Sequence, residues 1–318
     1  MGNHPFNVIV VLFWLATMSW LIVAKVLPPM RVGEPPSYES IVAEDPQPEP
    51  VCWRIRLGDK PIGWAANKVF RRYDDVVELY SRVYIRDLPL DELAPGWLAD
   101  VLTPVLRDLG PLDIDKWSRM VVDPLGRLVN FESKVRIAEF EDAIIVRGEV
   151  DGTSLKLTLR SGEIPHTIEQ YLPPNALIAD QLSPQMRMPN LRVGQQWTVP
   201  LYSPFLPPNS PIEILQARVE SSELFTWHGE RVASKLVVYR EDPGKGLSGD
   251  RIRGRMWVGD GGRVLQQQVM VRQSRLLFVR LGDEQTKRMA VALGDDWTGA
   301  LPQRVAGELL EAAKAKSP

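Results

Sequence analysis

The chain is poor in the residues that most often carry chemistry. Among its 318 residues there is one cysteine, Cys52, and there are three histidines. One thiol cannot close an internal disulfide, so this is not a small fold stapled by bridges. His4, His166 and His228 are widely separated, and no pair of them has metal-ligand spacing; H-E-x-x-H and C-x-x-C are absent. The serine elbow G-x-S-x-G fails at its last position in Gly246-Leu247-Ser248-Gly249-Asp250, and Gly244-Lys245-Gly246 lacks the spacing of a phosphate loop. The adjacent acids Asp91/Glu92 and Asp295/Asp296 read as a helix start and a loop. Cys52 sits beside Trp53 in an alternating segment and reads as a small core residue. No catalytic residue, metal ligand or cofactor is therefore expected.

A basic surplus is also missing. Lys and Arg total 38 against 40 Asp and Glu, and past residue 31 the balance is 36 to 40. Nucleic acid needs a concentrated basic footprint, so it is excluded as a partner. The first 24 residues contain no charge at all. Residues 8–24, VIVVLFWLATMSWLIVA, are apolar without a polar face; with Phe6, Val26 and Leu27 the run reaches about 20 residues, roughly the 30 Å of a bilayer core. Phe6, Trp14, Trp20 and Lys25 are the expected anchor residues, Trp20 and Lys25 at the end where aromatic and cationic groups favour the interface. A cleaved signal peptide would begin with basic residues and end in small ones; here Met1–Phe6 has neither Lys nor Arg, and Lys25-Val26-Leu27-Pro28-Pro29 follows the run. Phe6 at the sixth position excludes myristoylation at Gly2. The segment 1–27 is therefore predicted to be a transmembrane anchor in contact with lipid. Lys25 and Arg31 alone would place the remainder of the chain in the cytoplasm by the positive-inside rule. The plan of a short tail, one anchor and a large C-terminal body points instead to an extracytoplasmic domain on a bacterial inner membrane, and that orientation is the one expected.

Proline is abundant, with 27 copies, and seven of these fall in residues 28–50 beside five acids. Such a segment cannot bury enough surface to fold; proline stiffens it towards polyproline geometry, with a reach of up to about 70 Å. It is read as a tether.

From Val51 the pattern changes to period two. Trp53, Ile55 and Leu57 alternate with Arg54 and Arg56; similar alternation marks 77–86, 155–160, 215–220 and 251–258. Strands with one wet face and one buried face read this way. Gly58-Asp59, Asp123–Gly126, Asp151-Gly152, His228-Gly229 and Gly259–Gly262 are the turn cues between them. Helical signals are few: a run over 89–108, a short stretch at 174–182, and Val305, Leu309 and Ala312 near the C-terminus. The expected fold is mainly β (α+β), one or more large antiparallel sheets with one or two packing helices, over 51–300, followed by a C-terminal helix and tail at 301–318. An echo of the form V-x-x-x-G-R between 122–129 and 258–265 raises two similar halves, 51–172 and 190–285.

One charged feature stands out. Arg251, Arg253 and Arg255 project from one face of one strand, and a guanidinium row binds carboxylate or phosphate groups. The plainer reading is a solvated face paired with nearby acids.

The segments Trp53-Arg54-Ile55-Arg56-Leu57 with Pro61-Ile62-Gly63-Trp64, Val193-Gly194-Gln195-Gln196-Trp197-Thr198-Val199-Pro200, and Met256-Trp257-Val258 through Arg263-Val264-Leu265 resemble the LolA-like β-rich envelope proteins and domains of unknown function displayed in bacterial envelopes. The resemblance implies an antiparallel meander with a helix or two on its concave face, and a cleft for lipid or acyl chains. The sequence thus points to a non-enzymatic anchored envelope protein that binds a partner protein or a lipid-like ligand, an accessory subunit of a membrane complex among the roles it fits. An envelope-polymer hydrolase and a cytoplasm-facing scaffold are the alternatives.

Overall fold

A computed structural model describes residues 4–21, 50–88, 112–137, 140–161, 164–172, 177–178, 182–202, 212–241, 251–271, 274–294, 297 and 303–314. After an N-terminal helix α1 (His4–Leu21) come β1 (Val51–Leu57), β2 (Lys60–Arg71), β3 (Val77–Leu88), β4 (Leu112–Val122), β5 (Leu128–Ile137), β6 (Phe140–Asp151), β7 (Ser154–Ser161) and β8 (Ile164–Tyr171). The two-residue β9 (Leu177–Ile178) leads to β10 (Gln196–Tyr202), β11 (Ile212–Trp227), β12 (Glu230–Glu241), β13 (Ile252–Val258), β14 (Val264–Val271) and β15 (Ser274–Arg280). Helices α2 (Asp283–Leu293) and α3 (Gln303–Lys314) complete the order.

The strands make one 15-stranded sheet in the order β8-β7-β6-β5-β4-β3-β2-β1-β15-β14-β13-β12-β11-β10-β9. Every neighbouring pair is antiparallel except β9–β10. The chain therefore starts mid-sheet, runs out to one edge, and returns from the other edge to pair β15 with β1. Laid flat, such a sheet would hold its edges roughly 65–70 Å apart. Only residues 172–176 join β8 to β9, and so few residues span at most about 20 Å. The sheet must curl until its edges approach, and the interior shows that it does. One apolar cluster takes residues from both sequence halves, from Trp53, Val83 and Phe131 to Trp197, Val237 and Phe278. The body is barrel-like, and the expected halves share a single sheet and core.

Alternation accounts for the strands. In β1, Trp53 and Ile55 face the interior while Cys52 faces out; in β13, Met256 and Val258 face in while Arg253 and Arg255 do not. The turn cues fall at the ends of paired strands, and the His228-Gly229 turn has both residues at positive φ (49° and 85°). The sequence echo is explained by a shared hairpin. In each copy a bulge precedes the pair Val122↔Leu128 or Val258↔Val264. The loop closes through Asp123 N–H to Arg127 O or Gly259 N–H to Arg263 O, both 2.8 Å. Gly126 and Gly262 occupy the same left-handed position, at φ 74° and 73°. The turn demands the glycine, so these shared letters follow from local geometry.

Two expectations need correction. The stretch 174–182 holds β9 at Leu177–Ile178 rather than a helix. The described helices do not enter the concave face: α2 and α3 lie on the outer face of β1 and β2, burying Cys52, Trp64 and Ala66 under Met289, Leu309 and Leu310. Among the described residues no helix is long and apolar enough to cross a membrane. Helix α1 has 18 residues, about 27 Å at 1.5 Å per residue. The helix expected over 89–108 and the tether at 28–49 lie outside the described residues.

Candidate functional site

Part of the interior is filled by a segment that is not strand. Residues 182–191, here termed the strap, place Leu182, Met188 and Leu191 against the core. Backbone bonds fix the strap to the β13–β14 hairpin: Met188 N–H donates to Gly262 O (2.7 Å) and Val264 N–H to Met186 O (3.1 Å). Side chains hold it elsewhere. The Ser81 and Ser183 hydroxyls share a 2.6 Å hydrogen bond, and Gln185 N–H donates to Gln267 Oε1 at 2.9 Å. Tyr239, partly buried, with desolvation holding its phenol protonated, donates to Met188 Sδ at 3.6 Å. Gly262 permits the closest approach. A Cβ there would lie 2.7 Å from Pro189 Cα and 2.8 Å from Met188 O.

Where the strap meets the rim it leaves a cleft of about 450 Å³. Three stretches line it: Met188–Arg192 of the strap, Ser222 with Ala233–Lys235 of the β11–β12 hairpin, and Val258–Gly262 of the β13–β14 turn. Met188, Leu191 and Val258 give it an apolar part; Ser222, Arg192, Lys235 and Asp260 give it a polar one. Such a mixed lining suits a small amphipathic molecule.

Deeper in the barrel lies a polar belt. Asn67, Ser81, Ser118 and Ser133 are directly opposed across β2, β3, β4 and β5. Trp53 Nε1–H donates to Asn67 Oδ1 at 3.1 Å. Lys116, two residues from Ser118 on the same face, is 2 % exposed, and desolvation pushes its ammonium down to about 7. The Ser133 hydroxyl and the Trp197 indole N–H, both buried, have no partner among the described residues. The period-two pattern gave no warning of the belt, because it counts Lys116 and the serines as wet-face residues.

The residues singled out in the sequence are scattered. Arg253 and Arg255 are half-buried on the outer face of β13, and Arg251, exposed, just precedes the strand. Arg253 is held by Glu213 (3.2 Å) and Glu241 (3.7 Å). None of the three lines the cleft. Phe6 lies in α1, where Trp14 and Trp20 are 56 % and 67 % exposed; Lys25 lies outside the described residues. His166 is exposed on β8, and His228 contacts Arg280 O at 2.9 Å in the β11–β12 turn. Cys52 is wholly buried, and desolvation drives its thiol up to about 12, which keeps it unreactive. Among the described residues no group of three His, Cys, Asp or Glu is placed to hold a metal.

No protein-family model matches this chain, and no curated protein matches it. A solved structure that resembles it is a beta-barrel-like protein of a domain of unknown function, DUF1849, from Brucella abortus. The match has 9 % sequence identity and a TM-score of 0.44, and covers 74 % of this chain and 95 % of that one. That neighbour is a β-rich domain of unknown function.

Proposed function

We propose that this protein is a membrane-tethered binding protein whose barrel takes a small amphipathic ligand in the cleft beneath the strap. The observation that carries the reading is the cleft itself: three segments border about 450 Å³ lined by both apolar and polar side chains. Native mass spectrometry of the purified chain tests the reading. It is expected to show an amphipathic molecule carried through purification, and Ala233→Trp, which fills the cleft from an exposed position, is expected to remove it. Equal loading of the two proteins would refute the cleft as the site.

Anchoring belongs to the same proposal. Helix α1 exposes apolar side chains on every side, from Val10 and Val11 through Phe13 and Trp14 to Trp20. A helix apolar all round is unstable in water and needs lipid or protein around it. In this reading α1 lies in a bacterial inner membrane, residues 28–50 hold the barrel away from it, and the barrel is extracytoplasmic. Extraction of membranes with alkaline carbonate is expected to leave the protein in the pellet, and a C-terminal alkaline phosphatase fusion is expected to be active. Release of the protein or an inactive fusion would count against anchor and orientation respectively.

A further inference from the structure

The antiparallel order gives the barrel two distinct ends. Strands β1, β3, β5 and β7 begin at one end, where β2, β4, β6 and β8 finish. Because β15 pairs antiparallel with β1, strands β11, β13 and β15 finish at that same end, and β10, β12 and β14 begin there. The turns at 72–76, 123–127, 152–153, 228–229 and 259–263 therefore share it. So does the cleft, which is lined by Arg192 just before β10 and by Gly259–Gly262. The chain also enters the barrel here, at Val51, the first residue of β1.

Exposed apolar side chains gather at this end. Phe70 and Tyr73 stand at the β2–β3 turn, Leu125 and Val129 at the β4–β5 turn, and Tyr171 at the end of β8. Val193 just precedes β10, and Leu224 lies near the tip of the β11–β12 hairpin. Among the described residues of the strands and their turns, Ile214 is the large apolar side chain exposed at the opposite end. The charges between the tips are matched locally. Arg71 meets Asp75 at 3.9 Å, Arg72 meets Asp74 and Glu78 at 3.6 Å, and Arg127 meets Asp123 at 2.7 Å. The tips are spread along the sheet from β8 to β10, so in the curled sheet they ring the mouth instead of fusing into one patch. A protein partner is met by a contiguous, closely packed patch. Separate tyrosine and aliphatic tips suit a planar, fluid surface, where a tyrosine ring rests at the level of the headgroups.

We propose that this rim docks on the surface of the bilayer that holds α1, with Tyr73 and Leu125 entering the headgroup layer. The inference rests on the anchoring part of the proposed function. The point of entry names the occupant: the chain that leaves α1, a helix apolar on every side, joins the barrel at the end that carries the tips. The contact is apolar and needs no anionic lipid. Residues 28–50 then limit how far the barrel can leave the surface, and the cleft lies on the lipid side of the barrel.

The test uses the full chain in phosphatidylcholine nanodiscs containing a nitroxide-labelled lipid as quencher. A fluorophore is attached at Tyr171→Cys or Val193→Cys on the rim and, for comparison, at Asp59→Cys in the exposed β1–β2 turn at the opposite end. Cys52 is wholly buried, and the unaltered chain carried through the same labelling gives the background. Both rim labels are expected to be quenched and the Asp59→Cys label is not, with no change as chloride is raised. Tyr73→Ser with Leu125→Ser, both at exposed positions, is expected to lower the docked-to-free ratio read by the Tyr171→Cys label about tenfold or more. Protein that co-elutes with the nanodiscs but has unquenched rim labels overturns the docking and leaves the anchor standing. Equal quenching at both ends, an unaltered ratio in the double variant, or loss of quenching in salt also overturns it. A chain that does not co-elute with the nanodiscs overturns the anchor and the docking together.

Discussion

At Gly262 two demands fall on one residue. The backbone sits at φ 73°, and the strap passes where a Cβ would be. Gly261, at φ 64°, carries the first demand alone, since nothing lies within 4 Å of its Cβ position. Gly261→Ala is expected to cost about 1 kcal/mol, the usual strain of a left-handed alanine. Gly262→Ala should cost about 2 kcal/mol more and displace the strap. Urea denaturation of the pair measures the difference, and equal losses would mean that the strap is not clamped there. Lys116 makes a second test, in pH. The unfolded side chain keeps its proton up to about 10.5, whereas the folded one loses it near 7. Between those values the unfolded state binds one proton more, so stability contributed at this site rises with pH through the window. Below it the folded state carries the ammonium too, against the desolvation of its buried position. Lys116→Met is expected to stabilise the protein by several kcal/mol at about pH 6, each pKa unit being worth about 1.4 kcal/mol. The gain should fade as pH approaches about 10. A gain that does not vary with pH would show that Lys116 is not the titrating group.

Among the elements, the strands were legible because their apolar residues recur at every second position, and the C-terminal helix because Val305, Leu309 and Ala312 keep helical spacing. Helix α2 was not. Its buried face is Gln285, Met289 and Leu293, too thin and too polar a stripe to declare itself, and its best signals are Asp283 and Glu284 at the helix start and Gly294 at its end. The strap was illegible for a different reason. It has no period, and its packing depends on partners such as Ser81, Tyr239 and Gly262 that are remote in sequence. The helices on the outer face invite their own experiment. Leu309 is 1 % exposed and covers the face that holds Cys52 and Trp64. Leu309→Ala should cost about 2–5 kcal/mol. It should also turn Cys52, inert towards a thiol reagent in the parent protein, into a reacting group. Fast modification of the unaltered protein would contradict the packing described.

For the whole molecule, one sheet and one interior cluster serve both sequence halves. Thermal unfolding of the barrel should therefore be a single transition, with fluorescence and far-ultraviolet circular dichroism coincident. Two separated transitions would restore two independent halves.

The order of the strands also sets a timetable. Strand β1 is paired on one side by β2 as soon as that hairpin forms, but its other partner, β15, begins only at Ser274. At roughly 5–20 residues per second, a ribosome needs on the order of 10–40 s to supply it. Throughout that interval the nascent chain presents a free β1 edge, with Trp53 and Ile55 beside it, to any other extended polypeptide. Unjoined edges of this kind recruit neighbours. The last strand made is thus the one that seals the first, and a newborn barrel needs shelter until translation has nearly ended.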